Sequence, residues 1–198
     1  MQLDTSYALK EWAVAVAALE QAQTIMLLRK GGIHEQGGRF RVAYDKVLLY
    51  PTYEHQQSGL LKPEYADAVT SVTSGWHPDV RIGSWAEITD ILPVSDPQAV
   101  AALLPFHIWN EKFISDRLKW KSRQPLYVLL LRTYTFPQVH IPYRAEYAGC
   151  KSWIELAQKI SSNSQPVLSD TAYAHIVTEI CHKISKSSLD AHSPLLST

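Results

Sequence analysis

Two cysteines, Cys150 and Cys181, are too few in a chain of 198 residues to build a disulfide framework. Stability must therefore come from a packed core, and a reducing cytoplasm is the expected compartment. Long apolar runs are also missing. The richest, Trp12 to Leu19, is alanine-heavy and far shorter than the ~20 residues a membrane-spanning helix needs. Met1-Gln2-Leu3-Asp4-Thr5 shows no basic segment followed by an apolar one, so neither export nor membrane insertion is expected. Charge of one sign is absent as well: 19 Lys and Arg balance 19 Asp and Glu. A neutral chain has no global field to attract polyanions, so any nucleic-acid binding must come from a local patch.

Motifs with known mechanics are missing too. There is no Gly-x-x-x-x-Gly-Lys phosphate loop, no Gly-x-Gly-x-x-Gly turn and no Gly-x-Ser-x-Gly elbow. Paired Cys-x-x-Cys zinc ligands are absent, and Cys181-His182 with His175 has neither the spacing nor the ligand number of a zinc site. A restriction-type nuclease centre needs acidic metal ligands, usually with a lysine two positions after one of them. No Asp or Glu here has that lysine. A metal-dependent nuclease or hydrolase would have to be a variant built on Glu35, Glu54 and His55. No catalytic residue, metal or cofactor is expected.

What is present points to one α+β domain over residues 1–160, a linker and C-terminal helix over 161–185, and a disordered tail over 186–198. Leu9, Trp12, Val16 and Leu19 recur at helical spacing and predict a helix. Thr24 to Leu28, Arg39 to Val42 and Val47 to Tyr50 read as strands of an antiparallel meander, punctuated by Gly31-Gly32 and Gly37-Gly38. Pro63 to Val72 reads as a short helix, and Arg81 to Val94 as a strand bent once by a bulge. Asp96-Pro97 supplies an N-cap and first turn for a helix through Leu104. Tyr127 to Leu131 is continuously apolar, as in a strand buried on both faces. Ser152 and Glu155 have capping-box spacing and predict a helix start. Ser161 to Ser169 reads as a linker before a helix over about 169–184. The expected architecture is a mainly antiparallel, partly closed β-barrel with flanking helices.

Four groups are candidates for binding. Tyr50-Pro51-Thr52-Tyr53-Glu54-His55-Gln56 gathers aromatic and hydrogen-bonding side chains just after a strand, where binding residues commonly lie. Its alternative reading is a polar turn. Arg29-Lys30 and Arg39-x-Arg41 flank one glycine-containing loop and would contact phosphates if neighbouring strands bring them together; a charge-protected hairpin edge explains them equally. Among six tryptophans, Trp109, beside His107 and Asn110, is the best candidate for a pocket wall. The run Arg117 to Arg123, with Trp120 inside it, has a composition suited to single strands but also to a solvated helix end.

The strings Lys10-Glu11-Trp12-Ala13-Val14-Ala15-Val16, Leu27-Leu28-Arg29-Lys30-Gly31-Gly32-Ile33, Leu48-Leu49-Tyr50-Pro51-Thr52-Tyr53-Glu54-His55-Gln56 and Gly149-Cys150-Lys151-Ser152-Trp153-Ile154-Glu155-Leu156 together resemble the bacterial domain-of-unknown-function family numbered 1802. The resemblance spans about Tyr7 to Leu156. The family carries no assigned activity. Its members occur fused to restriction-endonuclease catalytic domains, which implies a part in restriction or defence and a separate nuclease subunit as partner for this chain. The order of elements is also similar to the small PUA-like barrels that recognise RNA or modified bases, an analogy of fold alone. The expectation is a non-catalytic module binding DNA or RNA through Arg29, Lys30, Arg39, Arg41, the Tyr50 to Gln56 turn and Trp109. A protein-interaction domain is the further alternative.

Overall fold

A computed structural model describes residues 1–30, 42–69 and 79–190. It shows an α+β fold built on a seven-stranded mixed sheet. In chain order the elements are β1 (Gln2–Trp12), α1 (Ala13–Glu20), β2 (Met26–Arg29), β3 (Lys46–Thr52), α2 (Pro63–Ala66) and β4 (Asp79–Val94). There follow α3 (Pro97–Ala102), α4 (Glu111–Lys119), β5 (Leu126–Pro142), β6 (Trp153–Asn163), β7 (Gln165–Pro166) and α5 (Asp170–Asp190). The hydrogen-bonded path runs β2-β5-β4-β3-β1-β6, with β7 off the path and paired to β5. Among the described residues the path does not close into a barrel. β1 and β3 are parallel, and the remaining pairings are antiparallel.

Both faces of the sheet are buried. On one, α1, α3 and α5 pack residues such as Leu19, Val100 and Ile180 against Leu9, Leu27, Leu49 and Leu129. On the other, strand residues and Tyr147 form a second core around Trp85, whose ring stacks on Tyr134 at 4.2 Å. Covering by helices explains why Val128 to Leu131 are wholly buried without alternation. β5 lies between β2 and β4, as an apolar run of that kind predicts.

Several local expectations meet the structure directly. Asp96 caps α3 by accepting a hydrogen bond from Gln98 N at 2.9 Å, and Pro97 sits in the first turn. Asn110 does the same for α4, accepting from Phe113 N at 3.1 Å. β4 is an irregular strand as expected, though with two irregularities in place of one, between Ile82 and Ser84 and between Ile88 and Asp90.

Others are corrected. The helix read from Leu9 begins only at Ala13, because Ala8 to Trp12 are drawn into the sheet as the parallel partner of β3. Side chains of Ala8 and Leu9, on opposite faces, are both fully buried. Double-sided burial mimics the density of an amphipathic helix. The segment after Ser152 opens β6 at Trp153, not a helix: Ile154, Leu156 and Ile160 are buried at even spacings against β1. Cross-strand packing overrides a capping motif of only two residues. The helix from Pro63 ends at Ala66, short of Val72. Of the expected meander, residues 39–41 of the Arg39 to Val42 strand lie outside the described residues, and the two flanking strands take other neighbours, since β2 pairs with β5 while β3 lies between β4 and β1. The linker expected from Ser161 is strand to Asn163, and Ser164, buried, accepts a 2.8 Å hydrogen bond from Trp85 Nε1. After β7, α5 docks on the sheet: Tyr173 and Ile180 enter the core, and the Tyr173 hydroxyl lies 2.6 Å from Thr89 Oγ1. Among the described residues no helix is long and apolar enough to cross a membrane.

Candidate functional site

The C-terminal ends of β1 and β3 run side by side, pairing Lys10 with Tyr50, Glu11 with Pro51 and Trp12 with Thr52. Side chains alternate along a strand, so Lys10 and Glu11 leave the sheet on opposite faces. A polar assembly forms on each.

On the face of the second core, the Lys10 ammonium is almost fully buried and spends all three of its protons. It donates to Glu54 Oε2 at 2.7 Å, to Tyr147 O at 2.9 Å and to Gly149 O at 2.8 Å. Glu54 Oε2 also accepts from Gly149 N at 3.2 Å, and Glu54 N donates to Thr52 Oγ1 at 3.2 Å. Lys10 and Glu54 thus clasp the turn after β3 to the turn at residues 145–149. Gly149 adopts φ +83°, a left-handed conformation in which a side chain would be strained. Beside the clasp is a cleft of about 260 Å³, counting the solvent at its mouth, walled by Tyr50, Thr52, Tyr53, Glu54, Tyr143 and Tyr147. Its enclosed part has room for about one water molecule. Tyr50 meets Tyr147 edge to face at 5.8 Å, and its hydroxyl is buried without a hydrogen-bond partner among the described residues. Burial, and then the neighbouring Tyr143, Tyr147 and Glu54, push its ionisation far above the usual tyrosine range.

On the opposite face, Glu11 Oε2 pairs with Arg29 at 3.0 Å while Oε1 accepts from Trp12 N at 2.7 Å. Arg29 also donates to Lys10 O at 2.8 Å. Gln56 Oε1 accepts from Val14 N at 3.2 Å and so caps the first turn of α1. Between Glu54 and Gln56, His55 is exposed at φ +61°, a conformation histidine tolerates better than most residues.

The structure therefore brings Arg29 and the Tyr50 to Gln56 turn together through residues the sequence reading missed, Lys10 and Glu11. The only signal for that pair was two charges inside an otherwise apolar stretch. Tyr143 and Tyr147 carried no signal, since they reach the cleft from a loop far along the chain. Arg29 is committed to Glu11, and buried Lys30 donates to Arg117 O at 2.8 Å and Leu118 O at 3.3 Å at the end of α4. Both cations are held by internal partners. Arg39 and Arg41, with Glu35, lie outside the described residues.

Trp109 lies apart from the cleft. It is 2% exposed, stacks on Phe113 at 5.0 Å and packs in the helix-covered core. Its neighbour His107 is equally buried. Desolvation, helped by the positive charge of Lys62, lowers its pKa to about 4. Unfolded histidine titrates near 6.5, so between these values the unfolded chain binds a proton that the folded one refuses. Stability should then fall by about 2 kcal/mol from pH 7 to pH 5. Urea titrations at both pH values would measure it, and a His107→Gln variant should lose most of that dependence.

Among the described residues no three His, Cys, Asp or Glu side chains are grouped to hold a metal ion. Cys150 is exposed and Cys181 partly buried, both as free thiols.

Comparison with known proteins gives a match over residues 8–179 to a family model described as a domain of unknown function, DUF1802. No curated protein matches the chain in sequence. Among solved structures, two crystal structures of single-residue variants of ZmASCH from Zymomonas mobilis are similar. The first has a TM-score of 0.44 and 9% identity, covering 89% of this chain and 99% of that one. The second has a TM-score of 0.43 and 10% identity, covering 87% and 96%.

Proposed function

The chain belongs to the DUF1802 family, and from its own geometry we propose that it is a non-catalytic nucleic-acid-binding module that receives one unpaired base of a strand in the Tyr50–Tyr147 cleft. The observation that carries this reading is the joining of tyrosine walls to a polar floor, where Glu54 is held in place by Lys10 and Gly149. Aromatic rings stack on a base whatever its sequence, and a fixed polar floor gives its edge something to bind. Stacking is worth about 1–3 kcal/mol per base.

Arg29 and Lys30 are held by internal partners and Arg39 and Arg41 lie outside the described residues, so the phosphate contacts proposed from the described cations are two others. Exposed Arg144 and Lys151 flank in sequence the 145–149 turn, whose Tyr147 walls the cleft, and would supply positive charge to a backbone bound there. Their present partners are weak competitors: Arg144 lies 3.6 Å from exposed Glu146, and Lys151 donates to Glu146 O at 2.9 Å. Two phosphate contacts predict a gentle salt dependence, with a log-log slope of about −1.4 for a single strand.

Fluorescence anisotropy with labelled 12-nucleotide single strands and the matching duplex, across a salt series, tests this. Single strands should bind better than the duplex, with the slope given above. The Arg144→Ala, Lys151→Ala variant should bind more weakly and with a flatter slope. No binding at low salt, or equal binding of duplex and single strand, would remove the reading.

A further inference from the structure

We propose, on the strength of the binding reading above, that the cleft is specific for a pyrimidine, whose hydrogen-bonding edge is read by the Tyr50 hydroxyl and the free oxygen of Glu54. Tyr50 is 2% exposed and its hydroxyl has no partner among the described residues. An unpaired buried polar group costs about 1–3 kcal/mol, and most such groups are paired in folded proteins; of those without a partner among the described residues, Tyr50 is the one whose side chain lines this cleft. Nothing in β3 requires a hydroxyl there: a phenylalanine would fill the same space against Tyr147. On a ring that lines the cleft, a hydroxyl with no partner among the described residues is a donor that a bound base could pair.

Glu54 supplies the second half. Its Oε2 is taken by Lys10 Nζ and Gly149 N, which among the described residues leaves Oε1 as the acceptor for a ligand. One oxygen that accepts and one hydroxyl that donates match an edge presenting a donor beside an acceptor. Cytosine offers its amino group beside N3, and thymine or uracil offers N3–H beside O4. Purine edges carry equivalent pairs, so size makes the choice. The enclosed floor holds about one water, and a single six-membered ring demands the least displacement of the clasped 145–149 turn.

The test uses 12-unit abasic sugar-phosphate strands carrying one central base, either thymine, cytosine, adenine or guanine, with an all-abasic strand as baseline. Both pyrimidine strands should bind about ten-fold tighter than either purine strand. Tyr50→Phe should cut pyrimidine binding about ten-fold and so remove most of the margin over the purine strands. Its thermal midpoint should equal or exceed that of the parent, because the lost hydroxyl had no partner. A lower midpoint would show a structural role and overturn the assignment. Equal binding of all four bases, or wild-type affinity in Tyr50→Phe, would overturn pyrimidine reading while leaving strand binding in place. No binding by the parent chain to any ordinary single strand would instead overturn the nucleic-acid reading itself. Micromolar competition by free cytidine or uridine would overturn the strand as the source of the base.

Discussion

Replacing Lys10 with methionine is expected to lower stability by about 3 kcal/mol. Methionine keeps most of the buried stem but removes three hydrogen bonds at once, to Glu54, Tyr147 O and Gly149 O. Two carbonyl oxygens lose their donor, and Glu54 is left as an uncompensated carboxylate. Breaking a buried ion pair from one side costs about 3–5 kcal/mol. The lower end applies because the Glu54 side chain is 20% exposed and water can partly replace the ammonium. Urea denaturation measures the loss. Adding Glu54→Gln to Lys10→Met should return about 1 kcal/mol, since the second change removes the orphaned charge. A local readout separates the clasp from a general packing loss: hydrogen exchange at the Gly149 amide, which donates to Glu54, should accelerate in Lys10→Met. A loss under about 0.5 kcal/mol would class the pair with exposed surface bridges and remove the clasp from the account.

That clasp also shows where the sequence was legible. Effects confined to a few neighbouring residues could be read from it. Asp96 and Pro97 signal the start of α3, and a continuous apolar run marks β5 as a strand flanked on both sides. The Tyr50 to Gln56 turn could be singled out because its polar and aromatic side chains are adjacent in the chain. Lys10 could not be linked to Gly149, because that contact depends on β1 lying between β3 and β6. Parallel pairing of β1 with β3 leaves no short turn to announce it. Nor could it be read that Arg29 faces Glu11, since both are fixed by a strand order in which β2 and β3 are not neighbours. Ser152 and Glu155 misled for the same reason. Their spacing is local, whereas the pairing of Ile154 with Ala8 crosses most of the chain.

Trp109 separates a core anchor from a pocket wall by experiment. Trp109→Ala is expected to cost about 4 kcal/mol. The ring is 2% exposed, stacked on Phe113 and set 5.9 Å from His107, and the backbone is tied across to Leu61. Truncation would remove a large apolar side chain and leave a void that Phe113 and His107 can only partly fill. Thermal or urea unfolding would report the loss directly. The same variant, examined where it remains folded, should bind single strands with unchanged affinity, because Trp109 does not line the Tyr50–Tyr147 cleft. A pocket wall would behave in the opposite way: little change in stability and a loss of about 1–3 kcal/mol in binding. A large destabilisation with binding intact would make Trp109 part of the scaffold and leave base stacking to Tyr143 and Tyr147. Loss of binding at full stability would mean that the base enters beside Trp109, and the Tyr50 cleft would have to be abandoned as the site.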